Sequence, residues 1–161
     1  MKKLFILSTL LLMGLTAQSA SAQQSNKDLV VRAAKAMETA PGTPETAQLA
    51  SPALKYLIET DEVSLIVCGG VVSPILEKKN KNGSEMVGAY TIGMGAYKIQ
   101  NPTSTDEDAA QLAGLELALK VYQSLVTAKP KTKFDPVEQL AAKSASAELA
   151  TYVRAATCGK K

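Results

Sequence analysis

A long, well-capped helix in the second half of the chain places the strongest constraint on the fold. Thr105 is a helix-capping residue type, and Asp106, Glu107 and Asp108 follow it, where carboxylates favour the positive end of the helix dipole. Apolar residues then recur at helical spacing on two adjoining sides, as far as Val126. They are Leu112, Leu115, Leu119, Tyr122 and Val126, widened by Leu117, Val121 and Leu125. We expect this helix to be covered on two sides within a mainly helical domain.

Proline, glycine and capping residues predict further helices along the chain. Pro41–Gly42 ends the first helix, the segment from Lys129 to Lys133 ends the long one, and Asp135–Pro136 opens the last. An alanine-rich composition without tryptophan also favours helices. Besides the long helix, the predicted helices cover Lys27–Thr39, 44–50, 52–60, Ser84–Ile99 and a last stretch from Asp135 to about Ala156.

The apolar run from Val63 to Leu76 leaves two folds open. A helix here would be apolar on all sides and therefore central and buried. A strand would pair with Val87–Ile99 across the turn at Lys78–Gly83, giving an α+β fold with one hairpin at 63–99. An isolated hairpin is only marginally stable, which favours the helix. The predicted fold is all-α, a single compact domain of about five to six helices closed by one disulfide.

The first 22 residues have the pattern of a secretory signal peptide. Lys2 and Lys3 precede an apolar run from Leu4 to Leu15, and the segment ends Ala20-Ser21-Ala22, the small-x-small pattern read by signal peptidase. The apolar run is shorter than the roughly 20 residues that span a bilayer. We therefore expect a mature domain of residues 23–161, periplasmic or secreted, without stable membrane insertion after cleavage.

Cleavage changes the charge that bears on binding partners. Once Lys2 and Lys3 are removed, the 18 basic residues become 16, against 15 acidic residues. A nearly neutral domain has little electrostatic attraction to nucleic acid or to an anionic membrane. A nucleic-acid partner is therefore not expected.

Histidine is absent from the whole chain. This excludes histidine general bases, Ser-His-Asp and Cys-His catalysis, and histidine-ligated metal sites. No catalytic motif, metal site or cofactor is predicted, and the leading interpretation is a non-enzyme. A hydrolase built on two of the 15 carboxylates remains an alternative.

Cys68 and Cys158 are the two cysteines of the chain. An even number in an oxidising compartment predicts a disulfide, with two free thiols as the alternative. Lys78, Lys79 and Lys81 form a basic loop with Asn82, which we take as the candidate partner-binding loop. A second basic segment contains Lys129, Lys131 and Lys133.

The segment from Tyr90 to Gly95 resembles a Tyr-x-x-Gly helix of the exported type VI secretion immunity proteins of the resistance-associated and amidase-immunity kind. The likeness continues through the helix that ends at Lys129-Pro130 and the last helix reaching Cys158, and Cys68 is similar to an earlier cysteine of that family. Membership would imply a periplasmic protein that binds and neutralises a toxic effector.

The function predicted from these features is that of an exported, non-enzymatic binding protein with a protein partner in the cell envelope. An immunity-type inhibitor that covers the active cleft of a toxic effector fits the resemblance. The alternatives are a small-ligand or envelope-stress binding module with a pocket between helices, and the carboxylate hydrolase.

Overall fold

The computed structural model describes residues 25–156, and this part of the chain contains seven α-helices and no strand. A first helix, α1, covers 25–39. The others are α2 (Pro44–Glu59), α3 (Gly69–Leu76), α4 (Gly83–Gln100), α5 (Glu107–Ala128), α6 (Asp135–Ala145) and α7 (Leu149–Ala155), with a 3₁₀ turn at Pro130–Thr132. The all-α prediction is confirmed, and the strand alternative at 63–99 is wrong.

Helices α4 and α5 form an antiparallel pair at the centre of the domain, in backbone contact. A Cβ atom added to Gly93 would lie 2.8 Å from the Ala113 carbonyl oxygen and 2.9 Å from Gly114 Cα. One added to Gly114 would lie 2.7 Å from the Tyr90 carbonyl oxygen. These glycines therefore set the distance between the two helices. An ion pair between Lys98 and Glu107 joins the helices near the α4–α5 connection.

The long helix is confirmed as α5, with buried residues on more than one side. Its cap differs from the prediction by one residue, because Asp106 rather than Thr105 accepts the amide hydrogen bond of Ala109, at 2.9 Å.

A second close approach places α2 against α4. A Cβ atom on Gly95 would lie 2.6 Å from Leu57 Cδ1.

The segments predicted at 44–50 and 52–60 are one helix, α2, which continues through Pro52. Its start is as predicted, since the Thr43 hydroxyl accepts from the Thr46 amide at 3.2 Å. Pro52 is exposed, while Ala53 and Leu57 are buried. Burial of this side of the helix outweighs the loss of one backbone hydrogen bond at the proline.

Only the second part of the apolar run 63–76 is helical. Residues 64–68 precede α3 without regular structure, and Ile66 and Val67 are 47% and 54% exposed. The prediction of one fully buried helix is therefore wrong for this part. Gln111 on α5 donates to the Ile66 carbonyl oxygen, which takes the place of a helical hydrogen bond.

The last predicted helix is divided into α6 and α7. Ala147 has a φ of 59°, and the Glu148 amide donates to the Lys143 carbonyl oxygen at 2.8 Å. This left-handed residue with a bond across five positions is a Schellman-type helix end. It turns the chain so that Leu149 and Val153 of α7 are buried in the core.

Two sequence predictions fall outside the described residues, namely the signal peptide at 1–22 and the cysteine at 158. Cys68 is buried, and its sulfur lies 3.7 Å from the Ala156 carbonyl oxygen, two positions before Cys158. The pairing of the two cysteines stays a prediction. Within 25–156, no helix combines the length and the apolar character needed to span a membrane.

Substitution of Gly114 by alanine should destabilise the domain by about 1–3 kcal/mol, because the new methyl group would overlap the α4 backbone. Chemical denaturation followed by circular dichroism measures this change. Gly69→Ala is the matched control, since an added Cβ there meets nothing within 4 Å. An unchanged free energy of unfolding for Gly114→Ala would contradict the close α4–α5 contact.

Candidate functional site

The two basic segments of the sequence lie next to each other in the folded chain. The Asn82 side-chain amide donates to the Thr132 carbonyl oxygen at 3.0 Å, which joins the loop before α4 to the 3₁₀ turn after α5. Six exposed lysines project from these two segments. We call them the lysine face; they are Lys78, Lys79, Lys81, Lys129, Lys131 and Lys133.

Buried asparagine side chains hold the first segment in place. The Asn80 amide group donates to the Ile75 carbonyl oxygen at 3.0 Å, and its Oδ1 accepts from the Asn82 backbone amide at 3.0 Å. Asn80 and Asn82 are 8% and 6% exposed. A Cβ atom on Gly83 would lie 2.9 Å from the same Ile75 carbonyl, so the segment also packs tightly against the end of α3.

Tyr122 fixes the chain after the second segment. Its hydroxyl accepts from the Phe134 amide at 2.9 Å and donates to the Glu138 carboxylate at 2.7 Å. Burial and the Glu138 carboxylate raise the pKa of Tyr122 to about 12. The hydroxyl therefore keeps its proton, and both hydrogen bonds, across the physiological pH range.

The charges of the lysine face are not neutralised inside the domain. None of its six ammonium groups forms an ion pair within residues 25–156. Glu77 and Asp135 adjoin the two segments in sequence and are exposed. Glu85, in the first turn of α4, is a third exposed carboxylate nearby. Six like charges outnumber these three carboxylates and give a positive local potential in a domain that is nearly neutral as a whole.

Sequence reasoning identified part of this site. Lys78, Lys79 and Lys81 are exposed in a loop, as expected for partner-binding residues. Asn82 is buried instead, and its side chain links the loop to Thr132 through a hydrogen bond. The sequence did not predict that the second basic segment, Lys129 to Lys133, lies beside this loop. The connection is a hydrogen bond between residues 50 positions apart, which no local pattern encodes.

An apolar groove adjoins the lysine face between α2, α3 and α4, with a volume of about 520 Å³. Leu54, Ile75 and Val87 line it, together with Glu77 and Lys78 from the loop after α3. Ile58 and Leu76 also line it and are 73% and 58% exposed. Two large apolar side chains left in water beside a cleft are typical of a binding surface.

A second cleft, of about 300 Å³ between α1, α4 and α5, contains charged side chains, among them Glu38 and Glu116. Hydrogen bonds from Lys120 at 2.7 Å and Lys35 at 3.2 Å lower the pKa of Glu38. A carboxyl group kept ionised can serve a carboxylate hydrolase as base or nucleophile but not as its general acid. The hydrolase stays an alternative prediction.

In the described part of the chain, no three His, Cys, Asp or Glu side chains are grouped closely enough to hold a metal ion. No protein-family model matches the sequence, and neither a curated protein nor a solved structure matches it.

Substitution of Asn82 by alanine should separate the two halves of the lysine face. The Thr132 carbonyl loses its donor, which should cost about 1 kcal/mol, and amide hydrogen exchange around Thr132 should accelerate. Asn101→Ala is the matched control, because the exposed Asn101 amide bonds only to the Tyr97 carbonyl of the preceding helix. Equal exchange around Thr132 in both variants would contradict a supporting role for Asn82.

Proposed function

We propose that this chain is an exported, non-enzymatic binding protein that covers an acidic surface of a partner protein with its lysine face. The observation that carries the proposal is the joining of two basic segments through buried Asn80 and Asn82. This arrangement fixes the backbone beneath six exposed ammonium groups before any partner binds.

Such prior fixation matters for affinity. Ordering a loop on binding consumes part of the interaction free energy, and a loop that is already held by hydrogen bonds avoids this cost. Lysine side chains stay flexible and accelerate association mainly through long-range attraction. We therefore expect fast, salt-dependent association with a negatively charged surface.

A protein is a better partner for this surface than a nucleic acid. Non-specific binding to single strands combines positive charge with exposed aromatic rings on which bases stack. The aromatic residue nearest to the second basic segment, Phe134, is packed against the hydrophobic core. The near-neutral charge of the mature chain also argues against a polyanion.

The resemblance to type VI secretion immunity proteins supplies the specific form of the proposal. In that form the partner is a toxic effector of the cell envelope, and the chain blocks its active cleft by covering it. The Tyr90–Gly95 segment that carries the likeness lies inside α4 and is largely buried, so it would serve the fold of such an inhibitor rather than its contact surface.

Export and a disulfide belong to the same proposal. The contact between the Cys68 sulfur and the Ala156 carbonyl, together with the lack of a free cysteine in residues 25–156, supports a bridge from Cys68 to Cys158. This bridge would tie the start of α3 to the end of the domain.

Expression with the complete leader should yield a periplasmic protein that begins at Gln23. Its intact mass should be lower than that of the reduced form by two hydrogen atoms, and it should react with iodoacetamide only after reduction. A mature chain that retains residues 1–22, or that is alkylated without reduction, would contradict this part of the proposal.

Replacement of Lys78, Lys79 and Lys81 by glutamate should abolish partner binding while the fold is kept, because all three side chains are exposed. The wild-type chain, used as bait in envelope extract, should retain a stoichiometric protein whose recovery falls with rising salt.

The toxin-like product of a neighbouring reading frame should be lethal in the envelope without the wild-type chain and harmless with it.

The matched control places the same charge change elsewhere, at the exposed residues Arg32, Lys55 and Arg154. It should keep both binding and protection. Equal loss in both triple variants would mean that net charge matters and the lysine face does not. A wild-type chain that retains no stoichiometric protein would contradict the binding proposal itself.

A further inference from the structure

Gly88, in the interior of α4, is unlike the glycines that pack the core. A Cβ atom at Gly93 or Gly95 would collide with neighbouring atoms, but one at Gly88 would meet only Leu54 Cδ2, at an ordinary 3.7 Å. The fold therefore has room for a side chain at this position. A helix-interior glycine is about 1 kcal/mol less favourable than alanine, and here no close packing compensates for that cost.

The missing side chain leaves space on both sides of Leu54. Gly88 and Leu54 line the apolar groove, and both also line an adjacent cleft of about 300 Å³ between α2, α4 and α5. Met37, Ile92 and Leu125 give this cleft an apolar lining. The two spaces share Leu54, Ser84 and Gly88, so a bulky residue at position 88 would narrow both.

The rim of the groove indicates the size of its occupant. Ile58 and Leu76 are 73% and 58% exposed at the edge. A segment of another protein that extends beyond the groove would cover the exposed parts of both side chains. Glu77 and Lys78 both line the groove, and Lys78 leads onto the lysine face, whose six lysines outnumber this carboxylate, so an occupant with carboxylates at that end is electrostatically matched.

The walls of the groove indicate its conformation. Most of its lining residues belong to helices α2, α3 and α4, whose backbone groups are bonded within each helix and offer no edge for strand pairing; Glu77, Lys78 and Asn80 come from the loop between α3 and α4. Along the helical walls, an extended peptide would lose water from its own backbone without gaining partners. A helix satisfies its own backbone and needs only apolar side chains on one face.

We infer that the groove binds an amphipathic helix of the partner protein, with apolar side chains entering on either side of Leu54 and carboxylates beside Lys78. This inference rests on the proposed function and names the element of the partner that the site recognises. Gly88 is then a specificity-determining residue, which keeps the groove open for that helix.

The test uses a synthetic helical peptide of about 18 residues with leucine at positions i, i+3, i+4 and i+7 and glutamate on the remaining face. Fluorescence anisotropy should show saturable binding to the mature wild-type protein. Gly88→Leu should weaken binding at least tenfold without lowering Tm, and Gly88→Ala, whose methyl group fits at 3.7 Å, should weaken it less. A peptide with lysine in place of glutamate should not bind.

Gly69→Leu is the matched control, because Gly69 is exposed, meets nothing within 4 Å and lies outside the groove. It should bind the peptide as the wild type does. Equal binding by a folded Gly88→Leu would overturn the inference. So would Gly88-dependent binding of phosphatidylglycerol vesicles, or of a second copy of the chain, in place of the peptide.

The failures of the two proposals can be distinguished. Loss of the natural partner in the lysine-to-glutamate variant, with full retention in Gly88→Leu, would leave the lysine face as the binding surface and remove the groove. Loss in Gly88→Leu alone would establish the groove and remove the lysine face. Retention by both variants would overturn both.

Discussion

The backbone contact between α4 and α5 determines where the remaining elements lie. Gly93 and Gly114 let the two helices approach closely. A Cβ atom added to Gly93 would lie only 2.8 Å from the Ala113 carbonyl oxygen. Because the pair is antiparallel, the start of α4 lies beside the end of α5. The two basic segments leave the helices at this end, so the Asn82–Thr132 hydrogen bond that joins them follows from the packing of the pair.

The same contact leaves α4 with different surroundings along its length. Its middle, from Ile92 to Ala96, is buried on all sides, and Gly95 admits Leu57 of α2. Its first half is covered less completely, and the space around Gly88 remains open as a groove. The lysine face and the groove therefore share one structural origin at the start of α4, which allows one partner to contact both.

Local signals predicted what depends on local physics. The carboxylates after Thr105, the apolar stripe and Thr43–Pro44 correctly indicated where α5 and α2 begin, to within one or two residues. The errors lie where tertiary contacts decide. Helix α2 continues through Pro52, where the sequence predicted two helices. The chain at Ile66 is not helical, and its carbonyl oxygen accepts a hydrogen bond from Gln111. Ala147, in the left-handed region, divides the last predicted helix in two. For the site, the sequence identified Lys78, Lys79 and Lys81. It predicted neither the hydrogen bond that links their loop to the second basic segment nor the apolar groove.

The glycines of α4 show why a sequence underdetermines a binding surface. Gly88, Gly93 and Gly95 have the same intrinsic cost in a helix, and nothing in the local sequence separates them. Neighbouring atoms leave no room for a Cβ atom at Gly93 or Gly95, whereas a Cβ atom at Gly88 would make only an ordinary contact. Close packing therefore requires the first two glycines but not Gly88. A domain with a total stability of roughly 5–15 kcal/mol can carry a cost of about 1 kcal/mol at one position. In the proposed complex, the groove that Gly88 leaves open between exposed Ile58 and Leu76 offsets this cost through partner binding.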